Sequence, residues 1–227
     1  MKSKRPDSQI ISNRFAVDPH RPDPAVIESA AGILRRGGVV VFPTRCLYGL
    51  AADALNAAAV ARVFALKRRP VDNPLLVLVQ DRAGVAPLVR RVTSAADLLM
   101  RHFWPGLVTV VFAAREGLPP NLTAGTGKIG IRVPSHPVAA ALVQAFGGPL
   151  TGTSANISGQ PGCARLAQLD LELAAGVDAL LDAGPLCGGP GSTVVDTTGE
   201  APRVLRAGSV SARAVLRLLV NPQRQLD

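Results

Sequence analysis

Apolar positions along the chain alternate between two spacings. Behind Asp23 and Pro24, a capping residue followed by proline at the first helical position, Val26, Ile27, Ala30, Ile33 and Leu34 recur at helical spacing until Gly37-Gly38. Val39–Phe42 is a continuous apolar run with the length of a buried strand, stopped by Pro43. Asn56 caps a second helix with an inner face of Val60, Val63 and Phe64, and residues 75–79 read as another buried strand. Ser94 with Asp97 resembles a capping box that opens a helix through Leu98, Leu99 and Phe103, which Trp104-Pro105-Gly106 breaks. Further strands are expected at 107–112, 129–133, 150–153, 178–182, 192–196 and 204–206. Further helices are expected at 137–146, at 166–175 and from a Ser211 cap to Val220. Residues 114–128 read as a loop and 184–191 as a glycine-rich turn.

This alternation indicates an α+β domain of mixed α/β layers without internal repeats. Strands joined by loops rather than helices, 107–112 with 129–133 and 192–196 with 203–206, are expected to pair antiparallel, so the sheet is mixed. Strand order does not follow from the pattern. The expected organisation is a flexible basic tail over 1–22, one domain over 23–221 and a short tail over 222–227.

Charge and cysteine usage narrow the function classes. A formal charge of +9 favours polyanion partners such as RNA or nucleotide phosphates. The aromatic content of 4% argues against a stacking platform for single-stranded RNA. No apolar run approaches membrane-spanning length, and the N-terminus lacks the apolar segment of a secretory signal. Cys46, Cys163 and Cys187 form no CxxC and cannot all pair, which fits a reducing cytoplasmic location.

The corner at residues 64–79 carries the first candidate chemistry. A helical pattern runs into Lys67, Arg68 and Arg69, Pro70 stops it, and Asp72, Asn73 and Pro74 turn the chain into an apolar strand. Three cations alone fit a solvated helix end as well as an anion site. Four other segments follow the same design of apolar strand and then hydrogen-bonding residues: 43–49, 132–134, 153–159 and 191–196. Ligands of α/β sheets bind at strand ends. Ser154, Asn156 and Ser158 offer hydroxyl and amide groups beside Gly159, while Lys67 and Arg69 offer positive charge, a set suited to phosphate and carboxylate. There is no GxxxxGK[ST] and no GxGxxG after a strand. The histidines have no metal spacing, and His136 reads as a cap. Ser154 lacks a nucleophile context, and Cys46 reads as a pocket-wall residue rather than a reactive thiol.

Taken in order, Phe42-Pro43-Thr44, Tyr48-Gly49-Leu50, Lys67-x-Arg69-Pro70, Asn73-Pro74-Leu75, Phe103-Trp104-Pro105-Gly106, Arg132-Val133-Pro134, His136-Pro137, Ser154-Ala155-Asn156-Ile157-Ser158-Gly159, Ser192-Thr193-Val194-Val195-Asp196 and Leu205-Arg206-x-Gly208 resemble the YrdC family, the threonylcarbamoyl-AMP synthases. The resemblance covers about residues 25–220. It implies a twisted mixed β-sheet flanked by helices with a basic concave cleft. It also implies a nucleotidyltransferase that makes threonylcarbamoyl-AMP and pyrophosphate from L-threonine, bicarbonate and ATP. A downstream threonylcarbamoyl transferase complex then modifies the tRNA adenosine beside the anticodon. By position, it implies Lys67, Arg69, Ser154 and Asn156 as the catalytic tetrad. Asn73 and Arg206 join these four on ATP, and Thr44, Arg132 and Ser192 lie around the threonine. Mg2+ arrives with ATP rather than at a dedicated protein site, and Asp196 reads as a structural residue ahead of a metal-adjacent one. Double-stranded RNA binding is a further implication, and a non-catalytic RNA-binding or ribosome-maturation protein on the same fold is the competing reading. A carbamoyl-adenylate former like the related domain of hydrogenase maturation proteins is a third. The expected form is the short, single-domain one. Five positions depart from the pattern: Arg45 and Cys46, Leu78 in place of a histidine that contacts threonine in archaeal members, Lys128 in place of a threonine, and Ala164 in place of a hydroxyl. They bear on the amino-acid pocket more than on the nucleotide site.

Overall fold

A computed structural model describes residues 13–220. The chain runs β1 (Arg14–Ala16), α1 (Pro24–Arg35), β2 (Val40–Pro43), β3 (Tyr48–Ala51), α2 (Ala57–Lys67), β4 (Leu76–Leu78), α3 (Ser94–Phe103), β5 (Val108–Ala113), α4 (Pro120–Thr123) and β6 (Lys128–Arg132). It continues through α5 (Pro137–Phe146), β7 (Leu150–Thr151), β8 (Thr153–Ser154), α6 (Leu171–Gly176), β9 (Ala179–Asp182), β10 (Thr193–Asp196), β11 (Arg203–Arg206) and α7 (Ala212–Val220).

Local chemistry sets the helix boundaries. Asp23 accepts from the Ala25 amide at 2.8 Å with Pro24 behind it, and Asn56 caps α2 through the Ala58 and Ala59 amides. His136 caps α5 with Nδ1 on the Val138 amide, the structural role expected of it. The expected Ser94 box is displaced by one residue: Thr93 is the cap, and Asp97 instead pairs with Arg101 and Arg82. The helix expected over 166–175 splits into a 3-10 turn at Leu166–Gln168 and α6, because Asp170 caps a new start.

Hydrogen bonding divides the strands into two mixed sheets, not one, in the orders β1-β9-β2-β3-β8 and β11-β10-β5-β6-β4-β7. The expected antiparallel pairs, β5 with β6 and β10 with β11, are present. A single stretch joins the sheets: Leu150–Thr151 pairs with β4, and after Gly152, Thr153–Ser154 pairs with β3. Two strands depart from the sequence reading. Tyr48–Ala51 forms a hairpin with β2 where a ligand loop was expected, closed by a Thr44 amide bond to the Leu47 carbonyl at 3.1 Å. Arg14–Ala16, expected in the tail, adds a parallel edge strand to β9, and the Arg14–Asp182 ion pair reinforces it. Residues 1–12 of the expected basic tail, and the tail expected over 222–227, lie outside the described residues.

β2 is buried on both faces and serves two cores. Val39 and Val41 join the larger cluster with α2, α3, α7 and the second sheet, while Val40 and Phe42 face α1 and α5. No helix of the described residues is long and apolar enough to cross a membrane.

Candidate active site

The site is organised by the way α2 ends. Arg68 adopts a left-handed conformation with φ 48°, and the Arg68 and Arg69 amides close back on the Ala65 and Phe64 carbonyls at 3.0 and 2.9 Å. This turn sends three adjacent cations in three directions. Arg68 points outward and pairs with Glu172. Arg69 turns into a cavity, its guanidinium held by the Asn73 carbonyl at 2.9 Å, Asn73 Oδ1 at 2.8 Å and the Pro74 carbonyl at 2.8 Å. Lys67 turns inward and is only 1% exposed.

Lys67, expected to point into the cleft, lies behind its wall. Its ammonium donates to the carbonyls of Ser154 at 2.5 Å and Asn156 at 2.7 Å and to Asn156 Oδ1 at 3.4 Å. Burial first and Arg69 second pull its pKa down to about 8, while the three oxygens favour the ammonium. Asn156 is likewise withdrawn. Its amide nitrogen donates to the Ile157 and Gln160 carbonyls at 2.8 and 2.7 Å, and its oxygen accepts from Ser154 Oγ at 2.5 Å as well as from Lys67. Neither Lys67 nor Asn156 lines the cavity, but Ser154, which they hold from behind, does. Ser158 also stays out of it; its amide donates to the Lys67 carbonyl at 2.7 Å and its buried Oγ has no partner among the described residues.

The cavity has a volume of about 650 Å³ and opens between the two sheets. Of the nine residues given a catalytic or binding role from the sequence, seven line it: Thr44, Arg69, Asn73, Arg132, Ser154, Ser192 and Arg206. Arg206 donates to the Ser192 carbonyl at 2.9 Å and approaches Ser192 Oγ at 3.5 Å. Ser192 Oγ shares a 2.7 Å hydrogen bond with Thr109 Oγ1. Thr109 was not singled out, although one hydroxyl inside the apolar run of β5 was a usable signal. Arg203, which also lines it, was not singled out either.

Cations dominate the wall. Arg132 is 7% exposed, has no carboxylate in ion-pair contact among the described residues, and leaves its buried Nε without a partner. Burial first and Arg206 second lower its pKa to about 10. Arg69 is lowered by the same two causes, burial and then Arg206. Arg206 is thus the charge shared by both ends of the site. One carboxylate lines the cavity, Asp196, and it is committed: Oδ2 accepts from Lys128 at 2.8 Å and Oδ1 from the Thr198 amide and hydroxyl at 2.9 and 2.7 Å. Burial raises the Asp196 pKa, but these hydrogen bonds outweigh it and hold the carboxyl below its ordinary value. Such a wall attracts a polyanion and holds it with charge-assisted hydrogen bonds.

The departures fall in different places. Cys46 and Lys128 line the cavity. Leu78 does not; it is fully buried with Leu150 and Phe42, beneath Gly152 of the cavity floor. Gly208 is required by close packing, since a Cβ there would lie 2.3 Å from the Gly191 carbonyl oxygen. Tyr48 anchors the 184–191 turn, donating to the Gly184 carbonyl at 2.7 Å, and burial first pushes its pKa up to about 12.

The family model Sua5_yciO_yrdC, described as "Telomere recombination", matches residues 32–208. The chain is 35% identical to the threonylcarbamoyl-AMP synthase of Bacillus subtilis over 95% of its own length and 61% of that relative. It is 39% identical to a putative threonylcarbamoyl-AMP synthase of Mycobacterium tuberculosis, covering 89% of itself and 92% of that protein. Among solved structures, Sua5 of Pyrococcus abyssi complexed with L-threonine superposes with a TM-score of 0.85 at 32% identity, over 92% of this chain and 61% of that one. The chain thus spans about three fifths of the length of the Bacillus and Pyrococcus proteins.

Proposed function

The chain belongs to the Sua5/YciO/YrdC family, and from that premise we propose that it is a threonylcarbamoyl-AMP synthase, joining L-threonine, bicarbonate and ATP. The observation that carries the reading is the cation-lined cavity of about 650 Å³, whose lining carboxylate is already neutralised by Lys128. Its size suits a nucleotide with a small amino acid, and its charge suits a triphosphate and a carboxylate together.

Arg69, Asn73 and Arg206 receive the phosphates. Arg132, with Thr44 and Ser192, receives the amino-acid carboxylate, and Ser154 stands between the two ends. Lys67 and Asn156 act as positioning residues that fix Ser154, rather than as contacts to substrate. In the reaction the threonine amine attacks the bicarbonate carbon, and water is lost as the carbamate forms. A carbamate oxygen then attacks the α-phosphorus, the bond to the β-phosphate breaks, and pyrophosphate leaves. Both steps develop negative charge on oxygen. Fixed guanidinium groups in a partly dry site stabilise that charge without reorganising, and the cavity wall sets the attack geometry.

Mg2+ would enter on the triphosphate. Among the described residues no cluster of three or more ligating side chains exists, and Asp196 is held by Lys128 and Thr198. The adenylate would be consumed by a transferase that modifies tRNA.

The test is mass spectrometry of the product from ATP, bicarbonate and a panel of amino acids. A threonine-dependent carbamoyl adenylate with pyrophosphate release is expected. Steeply salt-dependent binding of double-stranded RNA without any adenylate would replace this reading with the non-catalytic one.

A further inference from the structure

Two cysteines meet at the cavity wall. Cys46 lies on the β2–β3 turn, 7% exposed and facing the cavity, while Cys187 is exposed on the 184–191 turn. The two turns are tied together: the Gly188 amide donates to the Cys46 carbonyl at 2.9 Å, and Cys187 Sγ donates to the Arg45 carbonyl at 2.8 Å. Gly188 follows Cys187 and Arg45 precedes Cys46, so these two bonds set the two cysteines side by side, and a disulfide bridges Cα atoms about 4.4–6.8 Å apart. Cys163 is buried elsewhere, its Sγ directed to the Ala155 carbonyl at 3.5 Å.

We propose that Cys46 and Cys187 are a hydroperoxide-sensitive dithiol, and that their disulfide locks the 184–191 turn onto the cavity wall and weakens amino-acid binding. Cys187 is the exposed thiol and reacts first. Its thiolate attacks one peroxide oxygen, the O–O bond breaks, and water or an alcohol leaves, so that the cysteine becomes a sulfenic acid. The Cys46 sulfur then attacks that sulfur, the S–O bond breaks, and water departs with the Cys46 proton. The two thiols lose two hydrogens and two electrons, and the hydroperoxide is reduced by the same two electrons. Burial raises the Cys46 thiol, which suits it to the second step rather than the first.

In the reduced protein Cys46 Sγ faces Ser209 Oγ at 3.8 Å and lies close enough to Arg132 to influence its charge. Bridging turns that sulfur toward Cys187 and fixes the wall beside Arg132. The binding consequence rests on the proposed function, which places the amino-acid carboxylate at Arg132. The disulfide does not.

The experiment treats the wild type and Cys187→Ser with hydrogen peroxide, alkylates free thiols, and maps peptides without reduction. A linked Cys46–Cys187 peptide, two hydrogens lighter and reversed by dithiothreitol, is expected in the wild type alone. Oxidised Cys187 beside a still-alkylatable Cys46, or a bridge through Cys163, overturns the dithiol. Kinetics on the same samples should raise the threonine KM on the order of tenfold in the oxidised wild type, leave the ATP KM near its reduced value, and spare Cys187→Ser. A linked peptide with an unchanged threonine KM overturns the gating. Reduced protein without threonine-dependent pyrophosphate release overturns the proposed function and leaves the peptide map to decide the dithiol.

Discussion

The Lys67 ammonium donates to the main-chain carbonyl of Asn156 at 2.7 Å. That bond places Lys67 behind the cavity wall, where it supports Ser154. Replacing Lys67 with Met keeps most of its volume but strands the Ser154 and Asn156 carbonyls. Each orphaned buried acceptor costs about 1–3 kcal/mol. Lys67→Met should therefore be destabilised by roughly 2 kcal/mol in urea titrations and lose adenylate formation about 100-fold.

The same lysine makes a pH prediction. Its folded pKa of about 8 lies below the ordinary 10.5, so the folded chain releases the proton first as pH rises. Between these values the unfolded state binds more protons, and folding stability rises with pH. The gain reaches at most about 3.5 kcal/mol at about 1.4 kcal/mol per unit. Wild-type stability should climb relative to Lys67→Met from pH 8 to 10.5. Parallel curves across that window would refute the assignment.

Arg132 should show a trade between stability and function. It is nearly buried, its Nε lacks a partner, and Arg206 adds repulsion. Removing an uncompensated buried charge stabilises an empty site. Arg132→Met should therefore unfold about 1–2 kcal/mol later than wild type while threonine-dependent pyrophosphate release is lost. A variant that is both less stable and fully active would show that Arg132 is a structural residue.

Arg68 separates backbone conformation from charge. Its φ of 48° suits glycine, and its partner Glu172 is exposed, so the ion pair contributes little. Arg68→Gly should raise stability by up to about 1 kcal/mol and leave adenylate formation unchanged. A loss of activity would mean that the Arg68 side chain, not only the turn, serves the site.

Much of this was legible in the sequence because it depends on local chemistry. Asp23-Pro24, Asn56 and His136 mark helix starts through their own side chains, and the run Val39–Phe42 reads as buried because both of its faces meet core. The corner at Lys67–Asn73 and the residues Arg132, Ser154 and Ser192 were visible as polar groups at strand ends, while Arg206 came only from the resemblance. What was not legible depends on partners distant in sequence. β1 is a strand only because β9 lies beside it, and β3 only because of β2. Nothing in Lys67-x-Arg69 says that one cation turns inward and the other toward the cavity. The left-handed Arg68 and the carbonyls of Ser154 and Asn156 decide that. Leu78, read as a pocket position, faces the α1–α5 core because β4 places it beneath Gly152.

That last contact can be tested by exchange of size. A Cβ on Gly152 would lie 2.7 Å from Leu78 Cγ and 3.0 Å from Cδ2, inside any normal carbon contact. Leu78 is fully buried against Leu150 and Phe42 and cannot swing away. Gly152→Ala should cost about 1–3 kcal/mol through overpacking. Because Gly152 lines the cavity where the chain passes from one sheet to the other, the displaced wall should also lower ATP-dependent turnover. Leu78→Val alone should cost about 1 kcal/mol for the lost methylene and the space it leaves. Combined, the two changes should cost less than their sum, because the smaller side chain makes room for the added methyl. The coupling should be at least about 0.5 kcal/mol, the lower end for residues in contact. A denaturant titration of the four proteins measures it, and strictly additive losses would mean that the two positions do not touch in solution.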